Sequence, residues 1–179
     1  MTKWSGHGLR GSVLEEMVNY TNEEYREKKL ALIQKIPTPI TPVEIDQATR
    51  HITLAYFDQQ STVDYIGTVQ GIPVCFDAKE CTLDTFPLSN VHEHQIRFMR
   101  EWEEQDGIAF LLILFTSRNE AYYMPFRDLM KFVRRMEEGG RKSFRVEELD
   151  QGYRIEVNSG VYIHYLDAIQ RDLEQRQSL

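Results

Sequence analysis

Ser61-Thr62-Val63-Asp64-Tyr65-Ile66-Gly67-Thr68-Val69-Gln70-Gly71-Ile72-Pro73-Val74-Cys75-Phe76-Asp77-Ala78-Lys79 is the stretch whose reading decides the fold. Two apolar, β-branched runs flank Gln70-Gly71, which is the pattern of a β-hairpin with a two-residue loop. A turn centred there pairs each residue with the one equally far on the other side, so Asp64 faces Asp77 and Thr62 faces Lys79. Alternation with period two then puts Thr62, Asp64, Asp77 and Lys79 on one face. Val63, Tyr65, Gly67, Val74, Phe76 and Ala78 take the other, the core face. Two carboxylates opposed across a hairpin have Cβ atoms about 4.5–5.5 Å apart and repel unless something neutralises them.

Working outward, 179 residues with 41% hydrophobic and 27% charged side chains predict one compact domain, residues 1–179. No apolar run reaches membrane-spanning length, residues 108–115 being the longest strong one, and the N-terminus lacks the basic-then-apolar design of a signal peptide. The expectation is a cytoplasmic chain without a membrane partner. Cys75 and Cys81 suit neither a zinc knuckle nor a CxxC redox pair and read as free thiols. A net charge of −7 argues against a general nucleic-acid coat protein, because nonspecific affinity for phosphate comes mainly from Lys and Arg.

Before the hairpin, residues 2–10 form a short polar tail. Ser12 and Glu15 have capping-box spacing, and Leu14, Met17, Val18, Thr21 and Tyr25 recur as one helical stripe. Glu15 reads as a cap more readily than as a catalytic acid. Residues 30–36 predict a buried strand that Pro37, Pro39 and Pro42 terminate, and residues 37–57 an excursion with two extended arms, 43–47 and 51–57. Such a protrusion is a natural binding device.

After the hairpin, residues 82–90 read as a loop, with Ser89 or Asn90 capping a helix over 91–105. Gln95 falls on that helix's buried stripe with Val91 and Trp102. It is either an ordinary hydrogen-bonding residue at the helix start or it faces the carboxylates. His92 and His94, two apart, are expected on different sides of the helix. Residues 108–115 are apolar on both faces, as a central strand must be. A strand over 121–124 leads into a helix from Pro125 that carries Phe126, Leu129, Met130, Val133 and Met136 and stops at Gly139-Gly140. Arg134, Arg135, Arg141, Lys142 and Arg145 form a basic cluster that is either a solvated face or a phosphate contact. Residues 153–157 and 161–165 suggest a closing pair of strands, and 167–177 a polar terminal helix.

This order gives an α/β fold with a mixed central sheet flanked by helices. Asp77-Ala78-Lys79 alone is a weak signal, since Glu27-Lys28-Lys29 repeats its spacing at a helix end; the pairing with Asp64 carries the weight. Two opposed carboxylates accept Mg²⁺ while leaving it several waters, and Lys79 can orient or help deprotonate one of them. Phosphodiester hydrolysis needs that Lewis acid and that activated water.

The spacing of Asp64, Asp77 and Lys79 resembles that of the PD-(D/E)xK restriction-endonuclease-like nucleases, and the surrounding text resembles the RecU Holliday-junction resolvases. The carrying segments include Lys35-Ile36-Pro37-Thr38-Pro39, Ala55-Tyr56-Phe57, Ala78-Lys79-Glu80, Phe86-Pro87-Leu88, His92-Glu93-His94-Gln95 and Gly140-Arg141-Lys142-Ser143, in the family's order from about residue 10 to residue 145. The resemblance implies a homodimeric, Mg²⁺-dependent endonuclease, with Mn²⁺ as a substitute ion, that cuts branched DNA at four-way junctions in recombination and repair, alongside other recombination proteins. It implies Thr62, Asp64, Asp77 and Gln95 at the metal, Asp64, Asp77 and Lys79 in catalysis, and residues 37–57 as the stalk that enters the junction. Lys35, Arg50, Arg141 and Lys142 are the candidate DNA contacts.

Asp77 stands where the resolvases usually carry Glu, Cys75 replaces an Asp and Val63 a Thr, and the stalk is shorter, with Glu44 and Asp46 beside Arg50. Two other readings follow from these departures and the acidic balance. One is a non-catalytic DNA-binding recombination-accessory protein that keeps the nuclease fold. The other is an acidic interaction domain in which the opposed aspartates are coincidence.

Overall fold

A computed structural model describes residues 12–57, 62–158 and 162–177; the expected polar tail, Ser61 and Val161 lie outside them. Ser12 caps α1 (Val13–Glu27), its Oγ accepting from the Glu15 N–H at 3.2 Å, and the buried stripe is the predicted one with Asn22 added. The other half of the capping box is absent, because the Glu15 carboxylate accepts from Lys35 Nζ at 2.5 Å instead. β1 (Ala31–Lys35) follows, then β2 (Ile40–Asp46) and β3 (His51–Phe57), which pair antiparallel in a ladder of their own. This ribbon is the expected excursion, and it leaves Val43, Leu54, Tyr56 and Phe57 exposed.

β4 (Tyr65–Val69) and β5 (Ile72–Cys81) form the hairpin in the predicted register, Tyr65 opposite Phe76 and Val69 opposite Ile72. Gln70 and Gly71 both have positive φ, 49° and 89°, as a two-residue turn that matches the strand twist requires. β6 (Thr85–Pro87), α2 (Glu93–Glu103), β7 (Ile108–Phe115), β8 (Glu120–Pro125), α3 (Phe126–Glu137), β9 (Ser143–Arg145), β10 (Arg154–Ile155), β11 (Val157–Asn158), β12 (Tyr162–Ile163) and α4 (Leu166–Gln177) complete the order. The main sheet runs β1-β4-β5-β7-β8-β10. Only β5 and β7 are parallel, so the sheet is mixed.

All eight residues of β7 are buried. Its even-numbered side chains join Phe76 in one core with α1 and α4, where Phe76 and Phe110 stack at 4.6 Å. Its odd-numbered ones join Cys75, Met99, Leu129 and Val133 of the opposite core, with α2 and α3. Burying both faces of a six-stranded sheet stabilises the fold by on the order of 25 cal/mol per Å² of apolar surface removed from water.

Several expectations need correction. The strand expected to be buried is β1, an edge strand with Leu32 and Lys35 exposed. Its backbone closes tightly over β4: a Cβ on Gly67 would lie 2.1 Å from the Leu32 carbonyl oxygen, so only glycine fits. The hairpin's second face is not solvated, since Cys75 and Asp77 are as buried as Phe76. Val63 packs with Cys75 and Cys81 on that second face rather than with Tyr65, because the β4–β5 ladder stops at Tyr65 and alternation no longer applies before it. For the same reason Thr62 and Lys79 make no ladder pair. β6 and β9 form a small ladder inside what reads as loop, joined by the Phe86–Phe144 stack at 5.0 Å. The segment 153–157 divides, β10 adding to the main sheet and β11 pairing with β12.

Candidate active site

The paired acids sit one step beyond the end of the β4–β5 ladder, where side chains take over from backbone pairing. The Asp64 N–H donates to Asp77 Oδ1 at 3.0 Å, and the Ala78 N–H donates to Asp64 Oδ2 at 2.9 Å. Each carboxylate thus clasps the other strand. Asp77, on the central strand β5, has no solvent exposure, and its Oδ2 meets Lys79 Nζ and accepts from Gln95 Nε2 at 2.9 Å. Lys79 follows on the same face, as period two dictates.

Two acids and one lysine leave this cluster one negative charge over. Burial, then the neighbouring Asp77 charge and the contact with its side chain, push the Asp64 carboxyl up from 3.8 to about 6, against the opposing pull of the Ala78 N–H and Lys79. An acid pair with one member fully buried and the other half-buried, short of positive charge, is an arrangement that a cation relieves.

Gln95 reaches the site because α2 begins later than expected. His92, rather than Ser89 or Asn90, is its N-cap, and Leu88–Asn90 is a short 3₁₀ turn. That puts Gln95 at the third helical position, where its Oε1 accepts from the His92 N–H at 3.0 Å while its Nε2 reaches Asp77. With His92 outside the helix the two-apart rule fails, and the His92 and His94 rings stack at 5.4 Å. Thr62 is half-buried two residues ahead of Asp64.

The four candidate DNA contacts do not converge. Lys35 is paired with Glu15 on the edge strand, and Arg50 stands at the exposed turn of the β2–β3 ribbon. Arg141 and Lys142 are neighbours near α3; Arg141 shares Glu148 with Arg135 at 3.1 and 2.6 Å. Part of the basic cluster is therefore neutralised within the fold.

Sequence reasoning missed two further acids. Glu80 Oε1 accepts from the Leu14 N–H at 2.6 Å, so the residue after Lys79 caps α1. Asp172, on the helix read as merely polar, is fully buried and gathers Tyr123, Arg127 and Arg176. Arg176 also pairs with Glu103 at 2.5 Å. Only the four-residue spacing of Asp172 and Arg176 was a visible signal.

A divalent metal fits the donor chemistry of the acid pair. Among the described residues no group of three or more His, Cys, Asp and Glu side chains could hold an ion; one or two carboxylates are the usual protein ligands of Mg²⁺, which keeps several waters. Among the described residues no helix is long and apolar enough to cross a membrane.

A mixed, helix-covered sheet with two acids and a lysine at the end of its central hairpin defines a protein of α/β class with a PD-(D/E)xK-type motif. The chain belongs to the family described as Recombination protein U, whose model matches residues 9–171. It is 42% identical over 173 residues to the Holliday junction resolvase RecU of Pediococcus pentosaceus, covering 94% of this chain and 86% of that protein. It is 43% identical over 169 residues to the resolvase of the same name from Lactococcus lactis, covering 92% and 78%. For the one from a Geobacillus species the figures are 39% over 170 residues, covering 92% and 85%. The solved structure of Hjc, a Holliday junction resolvase of Archaeoglobus fulgidus, aligns over 62% of this chain at 8% identity and a TM-score of 0.34, too slight a likeness to bear on fold or chemistry.

Proposed function

We propose that this protein is a metal-dependent endodeoxyribonuclease that resolves four-way DNA junctions, as the names of its relatives state of them. The observation that carries the chemistry is the pairing of half-buried Asp64 with fully buried Asp77, with Lys79 as the pair's sole cation among the described residues. Mg²⁺, or Mn²⁺ in its place, would be held by Asp64 and Asp77, with Thr62 near at hand, and would supply charge neutralisation and an acidified water.

The chain's own residues do the rest. Asp77, hydrogen-bonded on both oxygens, keeps its carboxylate in one orientation. Asp64, whose carboxyl is raised to about 6 by burial and then by the Asp77 charge, would release the proton it holds below that value on binding a cation. Lys79, held against Asp77 on the same face, would stabilise with its ammonium the charge that develops on the phosphoryl oxygens. The single unit 1–179 acts as a homodimer, since two copies related by a twofold axis match the symmetry of a four-way junction. The β2–β3 ribbon, residues 37–57 with their prolines, is the part that enters it. Lys35, Arg50, Arg141 and Lys142 are the proposed phosphate contacts; the dispersed placement of these four suits a substrate that is large and branched.

The test is cleavage of a synthetic four-way junction, beside matched linear duplex and single strand, in Mg²⁺ or EDTA. Symmetrical nicking of the junction in Mg²⁺ alone, lost in Asp77→Asn, supports the reading. Cutting of duplex or single strand only would remove the junction from it, and a gel shift on the junction without cutting in Mg²⁺ or Mn²⁺ would make the protein a non-catalytic recombination accessory.

A further inference from the structure

The last turn of α2 is held from outside the helix. Three carboxylates, Glu101, Glu103 and Glu104, crowd it, with Arg100 as its one basic residue. A helix C-terminus carries partial negative charge, so acids there weaken the turn unless a cation from elsewhere neutralises them. Arg176, 73 residues away on α4, supplies that cation. Its guanidinium donates to both Glu103 oxygens, at 2.5 and 3.1 Å, and its Nε donates to Asp172 Oδ1 at 3.1 Å. The Glu103 carboxylate in turn accepts from the Ala109 N–H at 3.0 Å. Ala109 lies opposite Cys75 in the β5–β7 ladder, two residues before the Asp77–Leu111 pair.

At its other end the same helix carries Gln95 to the acid pair. Gln95 Nε2 donates to Asp77 Oδ2 at 2.9 Å, and its Oε1, which accepts from the His92 N–H, keeps a second lone pair for an ion. Eight residues of helix, about 12 Å, separate Gln95 from Glu103. A helix tied at both ends has one place over the sheet, and one freed at Glu103 can tilt or slide at Gln95. We infer that Arg176 is a positioning residue for the metal site: by clamping Glu103 it fixes the far end of α2, and with it the place of Gln95 against Asp77. The inference rests on the metal-site reading above. Groups that orient a metal ligand directly are typically worth about 10–100-fold in affinity. Arg176 acts one helix further away, so about 3–30-fold is expected.

The experiment is Mg²⁺ titration calorimetry on the full chain at low temperature, native against Arg176→Met, Glu103→Gln and Asp172→Ala, with junction cleavage followed as kcat and KM over a range of Mg²⁺. Arg176→Met should bind Mg²⁺ about 3–30-fold more weakly, keep the native KM for the junction, and regain the native kcat as Mg²⁺ is raised. Glu103→Gln, whose amide oxygen can still accept from the Ala109 N–H, should weaken Mg²⁺ binding too, and the double variant should be no weaker than the weaker single one, as for two residues that act as a unit. A bare charge effect would move the two variants in opposite directions, since one removes a positive charge and the other a negative one. Asp172→Ala loosens α4 but leaves the Arg176–Glu103 pair, and should bind Mg²⁺ as the native chain does. Native-like Mg²⁺ affinity in Glu103→Gln, which changes no volume, would overturn the inference even if Arg176→Met did not fold. Tighter binding in Arg176→Met, or an equal loss in Asp172→Ala, would overturn it as well. Asp77→Asn keeps the two layers apart. If Asp77→Asn binds Mg²⁺ as the native chain does, the metal-site reading falls and the inference with it; if Asp77→Asn loses Mg²⁺ while Glu103→Gln keeps it, only the role of Arg176 is wrong.

Discussion

Two aspartates among the described residues are completely buried, Asp77 on the central strand and Asp172 on the last helix, and their surroundings differ by one charge. Asp172 lies in a balanced cluster. It and Glu103 face Arg127 and Arg176, Tyr123 donates to Asp172 at 2.7 Å, and Arg127 also donates to the Tyr153 hydroxyl and Gln175. Asp77 shares its site with Asp64 and one lysine. A buried acid whose charge the fold has already neutralised pins α4 to the sheet. One whose charge the fold leaves unmatched is set up to receive something from outside.

The contrast can be broken most directly at Asp77. Asp77→Asn should lower junction cleavage in Mg²⁺ by at least about a hundredfold to a thousandfold, read as initial rate on a labelled junction. It should also abolish the rise in melting temperature that Mg²⁺ gives the native chain, which mass action sets at about 2.7 kcal/mol when the ion is at a hundred times its Kd. A variant that still cuts at the native rate would make the two aspartates equivalent and end the distinction.

Asp172→Ala should do the reverse. Leaving Arg127 and Arg176 short of their buried partner costs about 3–5 kcal/mol, which for a chain of this size lowers Tm by roughly 10 °C. Cleavage per folded molecule at low temperature should stay within a few-fold of native. An unchanged melting curve would show that the balanced cluster holds nothing together.

A smaller effect sharpens the sign of the charge mismatch. In EDTA at pH 8, Asp64→Asn should be more stable than the native chain by on the order of 2 kcal/mol, because it removes a carboxylate charge disfavoured by burial and then by the like charge of Asp77. The pH dependence follows from the raised carboxyl. Between its ordinary value of 3.8 and about 6 the folded chain holds a proton that the unfolded chain has released. From this group, therefore, stability rises as pH falls from about 6 to about 4 and is lost as pH climbs back through 6. The stability gap between Asp64→Asn and native should close over that window in urea titrations. A gap independent of pH would refute the shift.

Much of the fold was legible because it rests on local period and turn chemistry. Ser12 and the stripe Leu14-Met17-Val18-Thr21-Tyr25 predict α1. The doubly apolar run in 108–115 predicts the buried β7, and Gln70-Gly71 predicts the hairpin register on which the acid pair depends. What failed did so where a long-range contact overrode a local rule. Residues 30–36 are apolar enough for a buried strand, yet only β4 offers them an edge, so Leu32 stays exposed. The start of α2 depends on Gln95 capping His92, and competing cap residues upstream look equally good in the sequence alone.

The sequence by itself determined the hairpin register that brings Asp64 and Asp77 to the same end of the two strands, because a two-residue turn and a period of two fix it as far as Tyr65 and Phe76. It determined equally that Lys79 shares the face of Asp77. Only the tertiary structure decided which groups meet those acids. Gln95 lies 18 residues from Asp77, and Tyr123 lies 49 from Asp172. Contacts at such separations arise when sheet order and helix packing bring distant segments together, and no local pattern records which buried charge ends balanced and which ends one short.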